Sequence, residues 1–271
     1  MQNASDNTLR LSYGSEKFHF GELHLPAHAG PHPVVILIHG GFWRVPYGYS
    51  LMTGLAHDLA SRGIAAWNIE YRRIGDPHGG WPNTFLDVAN AADFVRSIAA
   101  TYHLDLQRVV PTGHSAGGHL ALWLAARPRI PRDRVLGQAS MQEIEHVPLV
   151  LCGAISLAGV SDLLIGWQRR LGNGAVAELI GGSPDALPER YATASPAAML
   201  PLGIPQVLVH GTADDRVPYD MSEAYTAQAR AAGDDVQLIT LPHVDHFALI
   251  DPASQAWAAT VKALQTLLHA R

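Results

Sequence analysis

The chain predicts an α/β fold: a mostly parallel central sheet with an antiparallel N-terminal edge, helices on both faces and a small helical cap insertion. Three observations carry this reading. From residue 34 onward, strand-like and helix-like patterns alternate. The first strand of that series, residues 34–38, is the unbroken run Val-Val-Ile-Leu-Ile, which suits a strand buried on both faces. Ahead of it, residues 8–13 and 17–25 alternate apolar with polar and turn near Gly14-Ser15, as two antiparallel edge strands would.

The elements follow in order. Residues 50–62 carry Leu51, Leu55 and Leu59 at helical spacing and stop at Gly63, after which residues 64–70 read as a strand. Asn83 or Thr84 can cap a helix that runs to about Tyr102. Arg108-Val109-Val110 is a strand that breaks at Gly113, and a helix-like pattern resumes over residues 115–127. Strands at 149–157, 205–210 and 236–241 alternate with helices at 219–232 and 252–269. Two stretches interrupt the series. Residues 127–148 are polar and bounded by prolines, and residues 159–203 are too long for a bare loop, so the latter reads as a cap of short helices over the sheet edge. One domain spanning 1–271, with that cap excursion, is the organisation expected.

Composition narrows the function. The 271 residues are 48% hydrophobic, enough to bury a large core, and the net charge of −5 comes without any Lys/Arg block. That leaves no electrostatic footprint for nucleic acid or an anionic membrane and favours a small-molecule substrate as the partner. No apolar run approaches the length of a membrane helix, and Met1 to Asp6 lacks a basic start followed by an apolar stretch, so a cytoplasmic location is expected. Cys152 is the only cysteine, which excludes an internal disulfide, and its apolar surroundings read as core.

The chemistry centres on Gly113-His114-Ser115-Ala116-Gly117, a G-x-S-x-G pattern between a strand and a helix. Small residues on both sides let the backbone turn sharply enough to present the Ser115 hydroxyl at the sheet edge. A serine hydroxyl is a weak nucleophile at neutral pH and needs a base. Of fifteen histidines, His243 and His246 follow the last strand and precede the last helix, at the same sheet edge as Ser115. A base needs a carboxylate behind it, and the strand ending at His210 is followed by Asp214 and Asp215. The oxyanion of a tetrahedral intermediate needs backbone donors. His39-Gly40-Gly41-Phe42-Trp43 closes the first buried strand, and N–H donors are expected from Gly41 and Phe42, with a third from Ala116. Trp43, Trp81, Trp167 and Phe247 are candidate aromatic substrate contacts. The histidines show no spacing that would bind a metal, and neither a metal nor an organic cofactor is expected.

Taken together, His-Gly-Gly-Phe-Trp at 39–43, Glu-Tyr-Arg-Arg at 70–73, Gly-Gly-Trp-Pro at 79–82, Gly-His-Ser-Ala-Gly-Gly at 113–118, His-Gly-Thr-Ala-Asp-Asp-Arg-Val-Pro at 210–218 and Asp-His-Phe at 245–247 resemble the α/β-hydrolase superfamily. Within it the likeness is to the branch of kynurenine formamidases (arylformamidases), feruloyl-type and other small carboxylesterases and the catalytic domains of prolyl-oligopeptidase-like enzymes, and it covers nearly the whole chain from Pro33. The order serine, aspartate, histidine is that of this superfamily. The resemblance selects Asp214 as the acid and His246 as the base. Where hormone-sensitive-lipase-like esterases have a third glycine this chain has Phe42, which leaves its side chain free to shape the pocket.

The activity implied is a serine hydrolase that cleaves a carboxylic ester, or an activated amide or formamide, of a small, partly apolar or aromatic substrate through an acyl-enzyme. Arylformamidase action on N-formylkynurenine is one alternative. A small prolyl-oligopeptidase-like peptidase is another, although that group carries an N-terminal gating domain that has no counterpart among these residues. A noncatalytic binding protein on the same scaffold is the third, and it fits least because Ser115, Asp214 and His246 are all present.

Overall fold

A computed structural model describes residues 7–138 and 147–269. Eight strands form one sheet: β1 (Thr8–Ser12), β2 (Phe20–His24), β3 (His32–Ile38), β4 (Ala65–Ile69), β5 (Leu104–His114), β6 (Ala154–Leu157), β7 (Gln206–Gly211) and β8 (Val236–Leu241). Their order across the sheet is β1-β2-β4-β3-β5-β6-β7-β8. β1 and β2 pair antiparallel, β2 meets β4 antiparallel, and every pairing from β4 through β8 is parallel. This is the sheet the sequence predicts, antiparallel edge included.

Burial on both faces explains the composition of β3. Val34, Ile36 and Ile38 enter one core with Trp67, Phe85, Val88 and Trp123, while Val35 and Leu37 enter a second core with Leu55, Leu59, Trp257 and Leu264. The period of two along a strand therefore feeds two separate layers. Helices α1 (Thr53–Ser61) and α8 (Gln255–His269) cover one face. The other is covered by α2 (Asn83–Tyr102), α3 (Ala116–Ala126) and α7 (Tyr219–Ala231), which follows the cap. Between β6 and β7 the chain makes the expected excursion of short helices: α4 (Leu163–Gln168), α5 (Leu171–Ile180) and α6 (Pro188–Ala194).

Several boundaries differ from the sequence reading, and four of the shifts have a clear local reason. β5 begins at Leu104, because it pairs with His32 across a register shift that precedes the regular ladder to β3. β6 begins only at Ala154. The apolar residues 149–153 satisfy their backbone elsewhere, with the Leu149 amide on the Asp93 carboxylate and the Cys152 amide on the Val109 carbonyl. Cys152 is half-buried at the margin of the second core, not inside it. The helix expected from residue 50 opens with a 3₁₀ turn at Tyr49–Met52 before α1. Finally, α8 starts after Ser254, whose hydroxyl accepts the Trp257 amide and caps the helix.

Because the sheet is parallel from β4 to β8, the ends of β3, β5, β7 and β8 lie along one edge, where open α/β sheets hold ligands. The turn from β5 into α3 is tight. A Cβ on Gly117 would lie 2.0 Å from the Ile38 carbonyl oxygen, and one on Gly113 would lie 2.0 Å from the Gly117 carbonyl oxygen. Helix α3 therefore sits against the end of β3 with no room for a methyl group. Gly117→Ala is expected to destabilise the protein by about 2 kcal/mol or more through overpacking, measured as a lower urea midpoint. An unchanged midpoint would contradict the close approach.

Candidate active site

Ser115 occupies the turn with φ 57° and ψ −119°, a conformation that non-glycine residues rarely adopt. Its amide donates to the Leu157 carbonyl at 2.8 Å and its carbonyl accepts the His119 amide at 3.1 Å, so strand β6 and helix α3 hold the strained residue from both sides. The side chain is 2% exposed. Helix α3 begins at Ala116, so the positive end of its backbone dipole lies beside the serine.

Across the sheet edge, the loop after β7 delivers Asp214 and the loop after β8 delivers His246. His246 Nδ1 donates to Asp214 Oδ2 at 2.6 Å, and both side chains are buried. The other oxygen, Asp214 Oδ1, accepts the amides of Arg216 at 2.8 Å and Val217 at 2.9 Å. His210, on β7, adds a fourth donor: its Nε2 lies 3.1 Å from Asp214 Oδ2 and its Nδ1 lies 2.7 Å from the Ser222 hydroxyl. Burial works to raise the Asp214 pKa, but the hydrogen bonds from His210 and His246 outweigh it and hold the carboxylate well below the usual range. Asp215 instead points into solvent beside Arg216. His243 is exposed and its amide donates to the Thr212 hydroxyl. The structure thus joins Asp214 to His246 and leaves the neighbours Asp215 and His243 outside.

His114, next to the serine, packs its ring 4.4 Å from that of His246. Its Nε2 donates to the His246 backbone carbonyl at 2.9 Å, pinning the histidine loop to the end of β5. Burial, reinforced by the nearby His246, lowers its pKa from 6.5 to about 3. It is neutral wherever His246 could act as a base.

The loop after β3 runs with positive φ through Gly41 (109°), Phe42 (49°) and Trp43 (56°). Gly40 presses on the serine turn, since a Cβ there would lie 3.0 Å from Ser115 Cβ. The start of this loop, at Gly40, is therefore adjacent to Ser115. Below it, His39 Nε2 donates to Glu70 at 2.9 Å, the His39 ring stacks on Tyr71 with centroids 4.2 Å apart, and the Tyr71 hydroxyl donates to the His39 carbonyl at 2.8 Å. Burial pushes the Glu70 pKa up, but the hydrogen bond and charge of His39 and the charge of Arg73 bring it below its ordinary value. Above the loop, Arg44 forms an ion pair with Glu178 at 2.7 Å and donates to the Gly172 carbonyl, so α5 is fastened to it directly.

The four aromatic candidates fall in different places. Phe247 is about half exposed beside His246, with ring centroids 5.4 Å apart. Trp43 is fully buried, edge-on to His119 at 5.2 Å, and supports the loop from behind instead of facing solvent. Trp81 packs on Phe85 and lies under the Arg190 guanidinium, and Trp167 is half-buried in α4. A surface cavity lined by Ile130, Glu189, Thr193 and Met199 lies apart from all of these. Among the described residues no three His, Cys, Asp or Glu side chains converge as metal ligands, and no helix is long and apolar enough to cross a membrane.

With this geometry established, comparison with known proteins places the chain. The BD-FAE family model matches residues 22–228, well over half of the sequence. The chain belongs to the BD-FAE family. Curated relatives agree in type. Esterase LipC of Mycobacterium tuberculosis is 27% identical over 82% of this chain and 55% of its own length. A probable isoprenylcysteine alpha-carbonyl methylesterase, ICME, of Oryza sativa is 26% identical over 95% of this chain and 63% of its own. The chain thus spans roughly half to two thirds of the curated relatives it matches. Among solved structures, a truncated carbohydrate esterase from gut microbiota superposes with a TM-score of 0.82 at 21% identity, covering 98% of this chain and 99% of that one. Esterase Est2 of Thermogutta terrifontis gives 0.77 at 22%, covering 97% and 92%. At these identities the structures establish the fold alone, an α/β-hydrolase fold.

Sequence reasoning quoted His210, His114 and Glu70 inside motifs without giving them roles. The signal was available in part: His114 adjoins Ser115 and His210 stands four residues before Asp214, whereas Glu70, just past the end of β4, adjoins no assigned residue.

Two buried histidines make stability depend on pH. His114 and His119 have folded pKa values lowered by burial to about 3 and about 4. In the unfolded chain they titrate near 6.5, so the unfolded state binds protons first as pH falls. Their contribution is complete above that value and is lost on acidification toward pH 4. The melting temperature is expected to fall steadily between pH 6.5 and 4, and a flat profile would mean that these side chains are not buried neutral.

Proposed function

We propose that this BD-FAE protein is a serine carboxylesterase that acts on small esters through an acyl-enzyme. The observation that carries the reading is the Asp214–His246 hydrogen bond, set at the same sheet edge as a serine held at φ 57°. The esterase relatives support an ester substrate over a formamide or a peptide.

In this mechanism Ser115 Oγ attacks the ester carbonyl carbon while His246 takes its proton at Nε2, the nitrogen left free by the bond from Nδ1 to Asp214. Asp214 fixes the tautomer and stabilises the imidazolium that forms. The oxyanion is met by the amides of Gly41, Phe42 and Ala116, fixed before the reaction begins and therefore spared reorganisation. Collapse of the tetrahedral intermediate breaks the ester C–O bond, and His246 returns its proton to the departing alcohol. Water then repeats the sequence on the acyl-enzyme and frees the acid. Phe42 and Phe247 supply apolar walls, and the left-handed turn that opens α5 lies directly on Phe42, since a Cβ on Gly172 would fall 2.6 Å from that ring. Little space remains there, which favours a short acyl group. Est2, with the same fold, is known with propionate and with butyrate bound.

The test is a panel of p-nitrophenyl esters from acetyl to long-chain, with feruloyl esters, N-formylkynurenine and a prolyl-arylamide. Turnover is expected to be highest on short esters and to disappear in Ser115→Ala, while a serine-directed phosphonate labels Ser115 alone. Preference for the formamide or the arylamide would overturn the ester assignment, and labelling at another serine would overturn the nucleophile.

The two aspartates give a sharper measurement. Asp214→Asn removes the charge behind the imidazolium and favours the wrong tautomer, and kcat is expected to fall at least about a hundredfold. Asp215→Asn disturbs only an exposed ion pair and should cost less than about tenfold. The reverse order in folded variants would move the acid to Asp215.

A further inference from the structure

Asp214 Oδ2 accepts two imidazole donors, and only one belongs to the proposed base. We propose that His210 is a positioning residue of the acid–base pair: by donating to the oxygen that His246 also uses, it fixes the plane of the Asp214 carboxylate and restrains the basicity of His246. This rests on the assignment of Ser115, Asp214 and His246 made above.

The geometry gives His210 a defined proton. Its side chain is fully buried. Nε2 faces the Asp214 carboxylate at 3.1 Å and the Val217 carbonyl at 3.0 Å, two acceptors, so this nitrogen carries hydrogen. Nδ1 faces the Ser222 hydroxyl at 2.7 Å, which can donate to it. The ring is thus anchored by α7 at one nitrogen and aimed at Asp214 by the other. Tyr219 packs edge-on against it with centroids 5.6 Å apart, leaving it little freedom to rotate.

Two consequences follow. Amides 216 and 217 hold Oδ1, so without His210 the position of Oδ2 is determined by His246 alone, and the carboxylate can pivot as His246 gains and loses charge. Second, an N–H donor to a carboxylate draws on the same negative charge that stabilises the imidazolium. Removing that donor leaves more of the charge for His246, which then holds its proton more tightly. The charged and titratable groups around the pair do not supply a substitute. His114 faces His246 from β5 but spends its Nε2 on a backbone carbonyl. Asp215 and Arg216 pair with each other in solvent. Asp245, on the loop after β8, accepts the amides of Phe247 and Ala248. On α7, Asp220 is paired with Arg169 of the cap.

The test compares His210→Leu, which keeps bulk without a donor, with His210→Gln, whose side-chain amide can reach Asp214. On a short p-nitrophenyl ester, His210→Leu is expected to lower kcat about tenfold or more with KM within about twofold. The acidic limb of its kcat/KM profile is expected to move up by about half a pH unit or more. His210→Gln should recover part of the rate and return the limb toward the wild type. A merely structural loss would lower the yield of folded enzyme without moving the limb or responding to Gln. An unmoved limb in folded His210→Leu, with Ser115 still labelled by the phosphonate, would overturn this proposal and leave the esterase assignment standing. Failure of the wild type to label at Ser115 would overturn both. If His210→Leu does not fold, Ser222→Ala takes its place, because loss of the hydroxyl donor weakens His210 as a donor. The His246 titration followed by NMR is then expected to shift upward, and an unshifted midpoint would overturn the proposal.

Discussion

The near-contact of three backbones at the serine turn is the constraint on which the rest of the site depends. The end of β3, the end of β5 and the first turn of α3 approach so closely that glycine alone fits at 113 and 117. That packing forces Ser115 into a left-handed conformation that would cost about 1–3 kcal/mol on its own. Bonds to Leu157 and from His119 hold it there. The same approach brings Gly40 against Ser115, so the loop that follows β3 is placed beside the serine by the packing that strains it.

A second level of order surrounds this contact and is built from buried polar pairs. His39 with Glu70 and Tyr71 holds the first loop from below. His114 ties the histidine loop to β5, and His210 of β7, anchored on Ser222 of α7, contacts the Asp214 carboxylate. Each ring places at least one nitrogen on a fixed backbone or carboxylate oxygen. In a low-dielectric interior such bonds are stiff when satisfied and costly when broken, which suits loops that must hold position without helical support. Of these rings His114 is held neutral by burial, and the carboxylates of Glu70 and Asp214 are each paired with a histidine.

Much of this arrangement could be read from the chain because its signals are local. The β-branched run at 34–38, the G-x-S-x-G turn and the short motifs that hold Asp214 and His246 each depend on a few consecutive residues. What escaped depends on contacts between distant segments. The sequence cannot say that Leu149 and Cys152 give their amides to Asp93 and Val109 ahead of the strand. Nor does spacing reveal that Trp43 turns inward onto His119 while Phe247 turns outward, because both are large aromatics beside assigned residues. The distinction between Asp214 and Asp215 required a resemblance, since neighbouring side chains on a turn look alike in composition and differ only in direction.

The ion pair and hydrogen bond from Arg44 to α5 have an effect beyond holding the cap in place. Arg44 lies two residues from Phe42, and the turn opening α5 rests on Phe42 itself, so the surface proposed to meet the substrate and the backbone proposed to meet its developing charge are mechanically one piece. Sequence drift in the cap is therefore transmitted to the donors. A lineage that widens this pocket must keep the register of a loop about 130 residues away in the chain, and changes in substrate range would arise as paired substitutions on either side of that bond.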